Sequence, residues 1–391
     1  MSENLKKKQY IIPIVFIFMM MILNATAENV RGVFIPLFKK DFSINDTEIG
    51  FMLTVSSVGY IVFTYIGGLL CEKLGQKKVF IAGFISMVIA LLGLWMSYSY
   101  PIFLISMFIL NIGLSLISIA INTIIPVLFL SFQAVLMNLT HFCYGLGSTI
   151  IQRTSGILLF KGVSWRVIYL AEAVLFLAVF LFFLPVKLPN VHKTKNADNN
   201  VKKSELFKNK LLYFYMFALG FYVFAEMGTG NWFVNFIEKT YSYDKSKSSF
   251  YLALFFGIFT FGRLVGGFVA EKFGYIKTVL VSLIIALVLY ITGINLGQSG
   301  LVIISISGLF FAVTFPTIVV TISKVFKENG AYATGIIVTI SSTTNMVLNM
   351  VIGFLNDNIG VYKAFYLIPI SLAVSILFVF AIYKNVKTIA N

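Results

Sequence analysis

Gly67-Gly68-Leu69-Leu70-Cys71-Glu72-Lys73-Leu74-Gly75-Gln76-Lys77-Lys78 returns 199 residues later as Gly266-Gly267-Phe268-Val269-Ala270-Glu271-Lys272-Phe273-Gly274-Tyr275-Ile276-Lys277, with six of twelve positions identical. In each copy small residues close an apolar run, a Glu-Lys pair follows, and a glycine then permits a tight charged turn. A boundary repeated at a fixed offset marks a chain built from two structural halves. The long polar segment 187–210 falls between the copies. The expected parts are therefore a first bundle over 1–186, a linker over 187–210 and a second bundle over 211–391.

The sequence around these boundaries is too apolar for water. Of 391 residues 59% are hydrophobic and 12% charged, with a mean hydropathy of +0.93. Soluble proteins run at about 45–50% and about 25%. Such a composition excludes a disordered chain, and two cysteines, Cys71 and Cys143, exclude a disulfide scaffold of this size. Apolar stretches lie near 10–38, 48–70, 79–97, 101–128, 134–160, 165–186, 211–237, 248–270, 277–297, 301–323, 332–355 and 362–384, and each is long enough to cross a bilayer. The fold class expected is an all-α membrane protein with twelve transmembrane helices in two pseudo-symmetric six-helix bundles.

The net charge of +15 reports topology rather than a nucleic-acid partner. With the N-terminus inside, cytoplasmic segments carry nineteen of the thirty lysines and arginines, from Lys6-Lys7-Lys8 through the 187–210 linker to Lys384 and Lys387. The opposite face carries eight, among them Lys39, Lys161 and Arg166, and Arg31, Arg153 and Arg263 lie within spans. The positive-inside rule then places both termini and the linker in the cytoplasm of a cell-membrane protein. Lys6-Lys7-Lys8 ahead of Ala25-Thr26-Ala27 imitates a secretory signal. The recurrence of Ala27-Glu28 as Ala225-Glu226 argues instead that this stretch belongs to the fold, and no cleavage is expected.

The repeated boundary resembles, with Glu for Asp, the loop signature G-x-x-x-D-[RK]-x-G-[RK]-[RK] of the major facilitator superfamily. The resemblance covers the whole chain and implies alternating access, the two halves rocking around a midplane site. It assigns gating roles to Gly68, Glu72, Lys73, Gly75, Gly267, Glu271, Lys272 and Gly274, and Arg263 beside the second Gly-Gly reads as a gate contact. A narrower likeness lies in the segments Gly220–Trp232, Phe256–Gly267, Gly308–Thr317 and His141–Gly147, which resemble the fucose, galactose and glucose proton symporter family. Glu226 with Asn231 matches the glucose-type pattern and implies a solute-facing seventh helix. The chain also departs from that family. Fucose-permease-like members carry an Asn-Asp pair in helix one where this chain has Arg31-Gly32, and a Glu in helix four where it has Ser118.

Depth along the helices brings other charges together. At 1.5 Å per residue, Glu28, Arg31, Arg153, Glu226 and Asn231 all fall roughly 3–10 Å to the outer side of their span centres. Glu28 and Arg31 are three apart, on one face. A charge at the bilayer centre costs about 2.5–3.5 kcal/mol, so these groups are expected to line a cavity or to pair. A mobile arginine could switch a carboxyl between binding and releasing a proton; a static pair that only holds helices together is the plainer alternative. Asn24, Asn122, Gln152, Asn231, Asn345 and Asn349 could hydrogen-bond a sugar-like solute, or glue helices to one another. Trp232, Phe221, Tyr222 and Phe224 could stack on a ring, or pack. His141 reads as a helix contact, His192 lies in the linker, and Glu172 is held in reserve at cavity depth in a peripheral helix.

No nucleophile elbow, P-loop, HExxH or CxxC motif is present, and two histidines make no metal pair. No enzyme, cofactor or metal is expected, and uphill transport must draw on an ion gradient. The function expected is secondary transport, proton-coupled uptake of a sugar or similar small polar solute, by a protein that works as a monomer. A proton antiporter expelling hydrophobic compounds and a membrane sensor that no longer transports stay open as alternatives. The partners expected are a small-molecule solute, protons and the lipid bilayer, with anionic lipid under the linker.

Overall fold

Backbone groups in hydrocarbon find no water to bond, so an apolar run this long closes its hydrogen bonds within a helix. The computed structural model describes residues 3–128, 133–186, 188, 206–326 and 330–386; side chains are described for all of these except 3–11, 72, 125–128, 133–138, 323 and 330–332. Most of the linker, with His192, and the side chains of Lys6, Lys7, Lys8 and Glu72 lie outside the described residues. No strand occurs among the described residues.

Among the described residues twelve spans follow one another. The first runs Glu3–Asn29 and continues as Arg31–Phe42. Then come Asp46–Leu74, Gln76–Trp95, Tyr100–Leu128, Gln133–Phe160 and Trp165–Phe183. The second set is Lys210–Tyr241, Lys245–Phe273, Tyr275–Asn295, Leu301–Phe311 continued by Thr314–Phe326, Gly330–Ile359, and Val361–Ala364 continued by Leu367–Val386. Eleven of these stretches are long and apolar enough to cross a membrane, and the 28-residue helix Gln133–Phe160 makes the twelfth.

Three spans are interrupted where the sequence reading drew them whole. In the tenth and twelfth, Pro316 and Pro369 supply no amide to the carbonyls four residues back, Ala312 and Phe365, and the helices break there. Ile368 N–H reaches the Phe365 carbonyl instead, at 3.2 Å. The first is interrupted only in its hydrogen-bond ladder at Val30, whose backbone stays helical (φ −67°, ψ −28°) and whose N–H reaches the Thr26 carbonyl at 3.2 Å, while Val33 bonds back three residues to the Val30 carbonyl at 3.0 Å.

The two-fold repeat reappears in the backbone. Gly75 and Gly274 take φ of 84° and 91°, a region open to glycine, and turn the chain after the second and eighth spans. Ser43 and Ser242, again 199 residues apart, end the first and seventh spans in the left-handed region at φ 53° and 54°. Gly162 and Gly360 (φ 86° and 85°) lead into the sixth and twelfth.

Contacts divide the chain into two units, Met1–Ile44 with Met52–Lys195, and Asn45–Phe51 with Asn196–Asn391. The first is filled by rings: Phe16, Phe80, Phe84 and Phe183 form one cluster and Phe34, Phe38, Phe103, Trp165 and Tyr169 another. Three of its loops are pinned by Arg166, which pairs with Asp41 at 2.6 Å and donates to the Ser97 carbonyl. In the second unit Phe233 and Phe236 stack on Phe365. Spans one and five approach most closely at Gly147, where any Cβ would collide with the Ile22 carbonyl. Their closeness sets up the first cluster of polar groups.

Candidate functional site

Each unit holds its own polar cluster. In the first, one helical turn beyond the Gly147 contact, Tyr144 donates its hydroxyl to Glu28 Oε2 at 2.5 Å. Asn29 Nδ2 donates to the Tyr144 oxygen at 3.0 Å and to the Ala25 carbonyl at 3.0 Å. Tyr60 lies near the Glu28 carboxyl and Ser118. Helix four thus presents Ser118 to this cluster, and its acid comes from helix one.

Arg31 opens the helix beyond the break and acts on Tyr169 of the sixth span. Arg153 is half-buried on the fifth span and is engaged with neighbours. Gln152 is fully buried and donates to Ser148 Oγ at 3.2 Å, while its Oε1 has no partner. Asn24 donates to the Leu114 carbonyl at 3.5 Å and likewise leaves its Oδ1 unpartnered. Asn122 lies on an exposed face of the fourth span.

In the second unit Glu226 is 4% exposed. The Tyr222 hydroxyl lies 2.7 Å from Glu226 Oε2 and 2.7 Å from the Phe311 carbonyl. A phenol has one hydrogen to give. Both contacts are hydrogen bonds at once when Tyr222 donates to Phe311 and the carboxyl, carrying a hydrogen of its own, donates to Tyr222. Arg263 Nη2 is 3.7 Å from Glu226 Oε1, its guanidinium lies 4.4 Å from the Phe259 ring centre, and its Nε has no partner. The sequence grouped Arg263 with the gating loop. It stands eleven residues, roughly 16 Å of helix, before Gly274, and its guanidinium meets the seventh-span acid.

The amides of the seventh and eleventh spans form a second knot. Asn231 Nδ2 and Trp232 Nε1 both donate to Asn349 Oδ1, at 3.1 and 3.0 Å. Asn349 Nδ2 donates to the side chain and carbonyl of Asn345 at 2.8 and 2.9 Å. Trp232 and Phe224 are buried in the core.

At the repeated boundary, the close approach belongs to the first glycine of each pair. A Cβ at Gly67 would meet Leu116 and Ile119, and one at Gly266 would meet Val313, whereas Gly68 and Gly267 have nothing within 4 Å. Lys73, Glu271 and Lys272 are exposed, and Gly75 and Gly274 make the turns. Tyr144 and Tyr60 as partners of Glu28, and the pairing of Tyr222 with Glu226, are not among the contacts expected from the sequence. A tyrosine one turn from an intramembrane acid, as at 222 and 226, was the available signal.

A family model described as Major Facilitator Superfamily matches residues 17–342. The L-fucose-proton symporter of Escherichia coli K12 is 22% identical, over 97% of this chain and 94% of that one. The glucose/galactose transporter of Brucella abortus is 22% identical, over 87% of this chain and 86% of its own. Among solved structures, the inward open xylose transporter XylE of E. coli superposes with a TM-score of 0.78 at 13% identity, covering 94% of both chains.

Proposed function

Because this chain belongs to the Major Facilitator Superfamily, we propose that it takes up a sugar or similar small polar solute together with protons, by alternating access. Tyr222 carries the reading: a one-hydrogen hydroxyl set 2.7 Å from two acceptors suits a Glu226 that holds a proton. Arg263, 3.7 Å from the same carboxyl, suits a counter-charge for Glu226 once that proton has left. Relatives named for fucose, glucose and galactose with protons support the solute class and the coupling ion.

Glu28 with Tyr144, and the Asn231–Asn345–Asn349 knot with Gln152 and Asn122, are the remaining candidates for proton and solute contacts, with Arg31 and Arg153 as their charge partners. The 68–75 and 267–274 turns act in gating. The lysine distribution supports cytoplasmic termini in the cell membrane, and one chain carries both bundles, so a monomer suffices.

The test is transport by purified protein in proteoliposomes with labelled L-fucose, D-glucose and D-galactose under an imposed pH gradient. Accumulation that collapses with a protonophore is the expected result. Exchange of none of these sugars, with export of a hydrophobic dye driven by the same gradient, would replace uptake with efflux.

A further inference from the structure

The sixth span carries an acid with no part in the Glu226 scheme. Glu172 is buried, and neither carboxyl oxygen has a hydrogen-bond partner. One turn earlier on the same face, Tyr169 is fully buried and its hydroxyl is equally unpartnered. Opposite stands the first span, on either side of its break at Val30. Thr26 faces the carboxyl but donates its hydroxyl to the Leu23 carbonyl at 2.8 Å. Arg31, just past the break, acts on Tyr169. The rings of Phe34 and Trp165 close on that of Tyr169 at 5.4 and 5.9 Å. The third span, packed along the sixth, has no titratable side chain between Lys78 and Trp95. The fifth span, touching the sixth more lightly, carries His141, Cys143, Tyr144 and Arg153, of which Tyr144 is committed to Glu28.

A carboxylate sealed from water with no donor is far costlier than the neutral acid. The pocket therefore accepts Glu172 with its proton on. Its opposing residues sit on a span interrupted at that level, so a shift about Val30 would move Thr26 and Arg31 against the sixth span and bring water or the guanidinium to the carboxyl.

We propose that Glu172 is a second proton-binding site, loaded in the arrangement described and discharged to water when the first span moves about its break. Its part in the transport cycle rests on the proton-coupled reading; its protonation does not.

Infrared spectroscopy of purified protein titrated from acid to alkaline pH reads protonated carboxyls without any solute. The expected result is carboxylic-acid absorption at neutral pH that vanishes on alkalinisation and has two components, one lost in Glu172→Gln and kept in Glu226→Gln, the other lost in Glu226→Gln. In proteoliposomes Glu172→Gln is expected to lose sugar accumulation and keep counterflow. A spectrum identical to wild type in Glu172→Gln overturns the proposal, as does wild-type accumulation by that variant. If the variant fails to fold, modification of wild-type Glu172 by dicyclohexylcarbodiimide, which attacks protonated acids in apolar surroundings, serves instead. Labelling that disappears at alkaline pH supports the site, and no labelling at any pH overturns it. If wild type moves none of the sugars the transport reading falls, while the infrared band still reports on Glu172.

Discussion

Thr47 gives both its backbone N–H and its hydroxyl to one oxygen of Asp357, each at 2.6 Å. The other carboxylate oxygen accepts the Asp46 N–H at 3.0 Å. The first turn of the second span is thereby completed. Glu48 N–H already bonds to the Asn45 side chain at 2.8 Å, and Glu48 reaches back to the Asn45 N–H at 2.9 Å, a capping box. Asp357 takes the amides the box leaves over, and its charge also suits the helix N-terminus.

Asp357→Ala should therefore lower stability by about 0.5–2 kcal/mol, the usual worth of a cap. Thermal unfolding of purified protein reads this as a lower Tm, with Asp357→Asn falling between the variant and wild type. No change in either would mean that water satisfies Asp46 and Thr47 equally well.

The same contact predicts a conformational trap. The 45–51 segment groups with the second unit although the rest of its helix belongs to the first, and the contact is expected to break during the transport cycle. A Thr47→Cys, Asp357→Cys pair, with Cys71 and Cys143 replaced by serine, should stop transport when oxidised and recover it on reduction. Full transport by the cross-linked protein would show that the segment stays docked throughout.

Gly147→Leu should prevent the first unit from assembling. Its Cβ would already meet the Ile22 carbonyl, and overpacking of this kind costs about 1–3 kcal/mol even where side chains can yield; here a backbone stands in the way. Poor recovery of folded protein, against normal recovery of Gly68→Leu, whose position is open, is the expected contrast in size-exclusion profiles.

What could be read from the sequence divides along physical lines. Lipid forces every spanning segment into a long apolar helix, so number and order of spans follow from composition alone, and a turn glycine such as Gly75 or Gly274 announces itself. Ser43 and Ser242 do not, because serine carries no mark of a positive φ and the repeat around them has diverged. Charged residues stood out at 28, 31, 153 and 226 because ionised groups are rare in oil. Their partners did not, since the rotation of one helix against another is set by packing across the bundle. Asn231 meets Asn349 across 118 residues of chain and Thr47 meets Asp357 across 310. The glycines beside Arg263 mark a helix end, but they do not reveal that its guanidinium reaches Glu226 on the seventh span.

Arg153→Ala is expected to impair transport far more than Lys272→Ala at matched expression. Arg153 is half-buried within a span and engaged with neighbours, so its loss removes an interaction inside the bundle, whereas Lys272 is exposed at the end of its helix. Equal effects in proteoliposomes would mean that Arg153 has a structural role only.

Tyr222→Phe keeps the ring and removes the hydroxyl that donates to the Phe311 carbonyl and accepts from the protonated Glu226. One buried acceptor and one buried donor then lose their partner, at about 1–3 kcal/mol each where no water replaces it, so Tm should fall. If the hydroxyl also hands a proton to and from Glu226, accumulation should fall further than counterflow, because counterflow moves solute without net proton transfer. Glu226→Gln should show the extreme of the same pattern: no accumulation and preserved counterflow. Wild-type accumulation by Glu226→Gln would remove the carboxyl from the coupling mechanism. Equal losses of accumulation and counterflow in Tyr222→Phe would leave Tyr222 as a brace between the seventh and tenth spans.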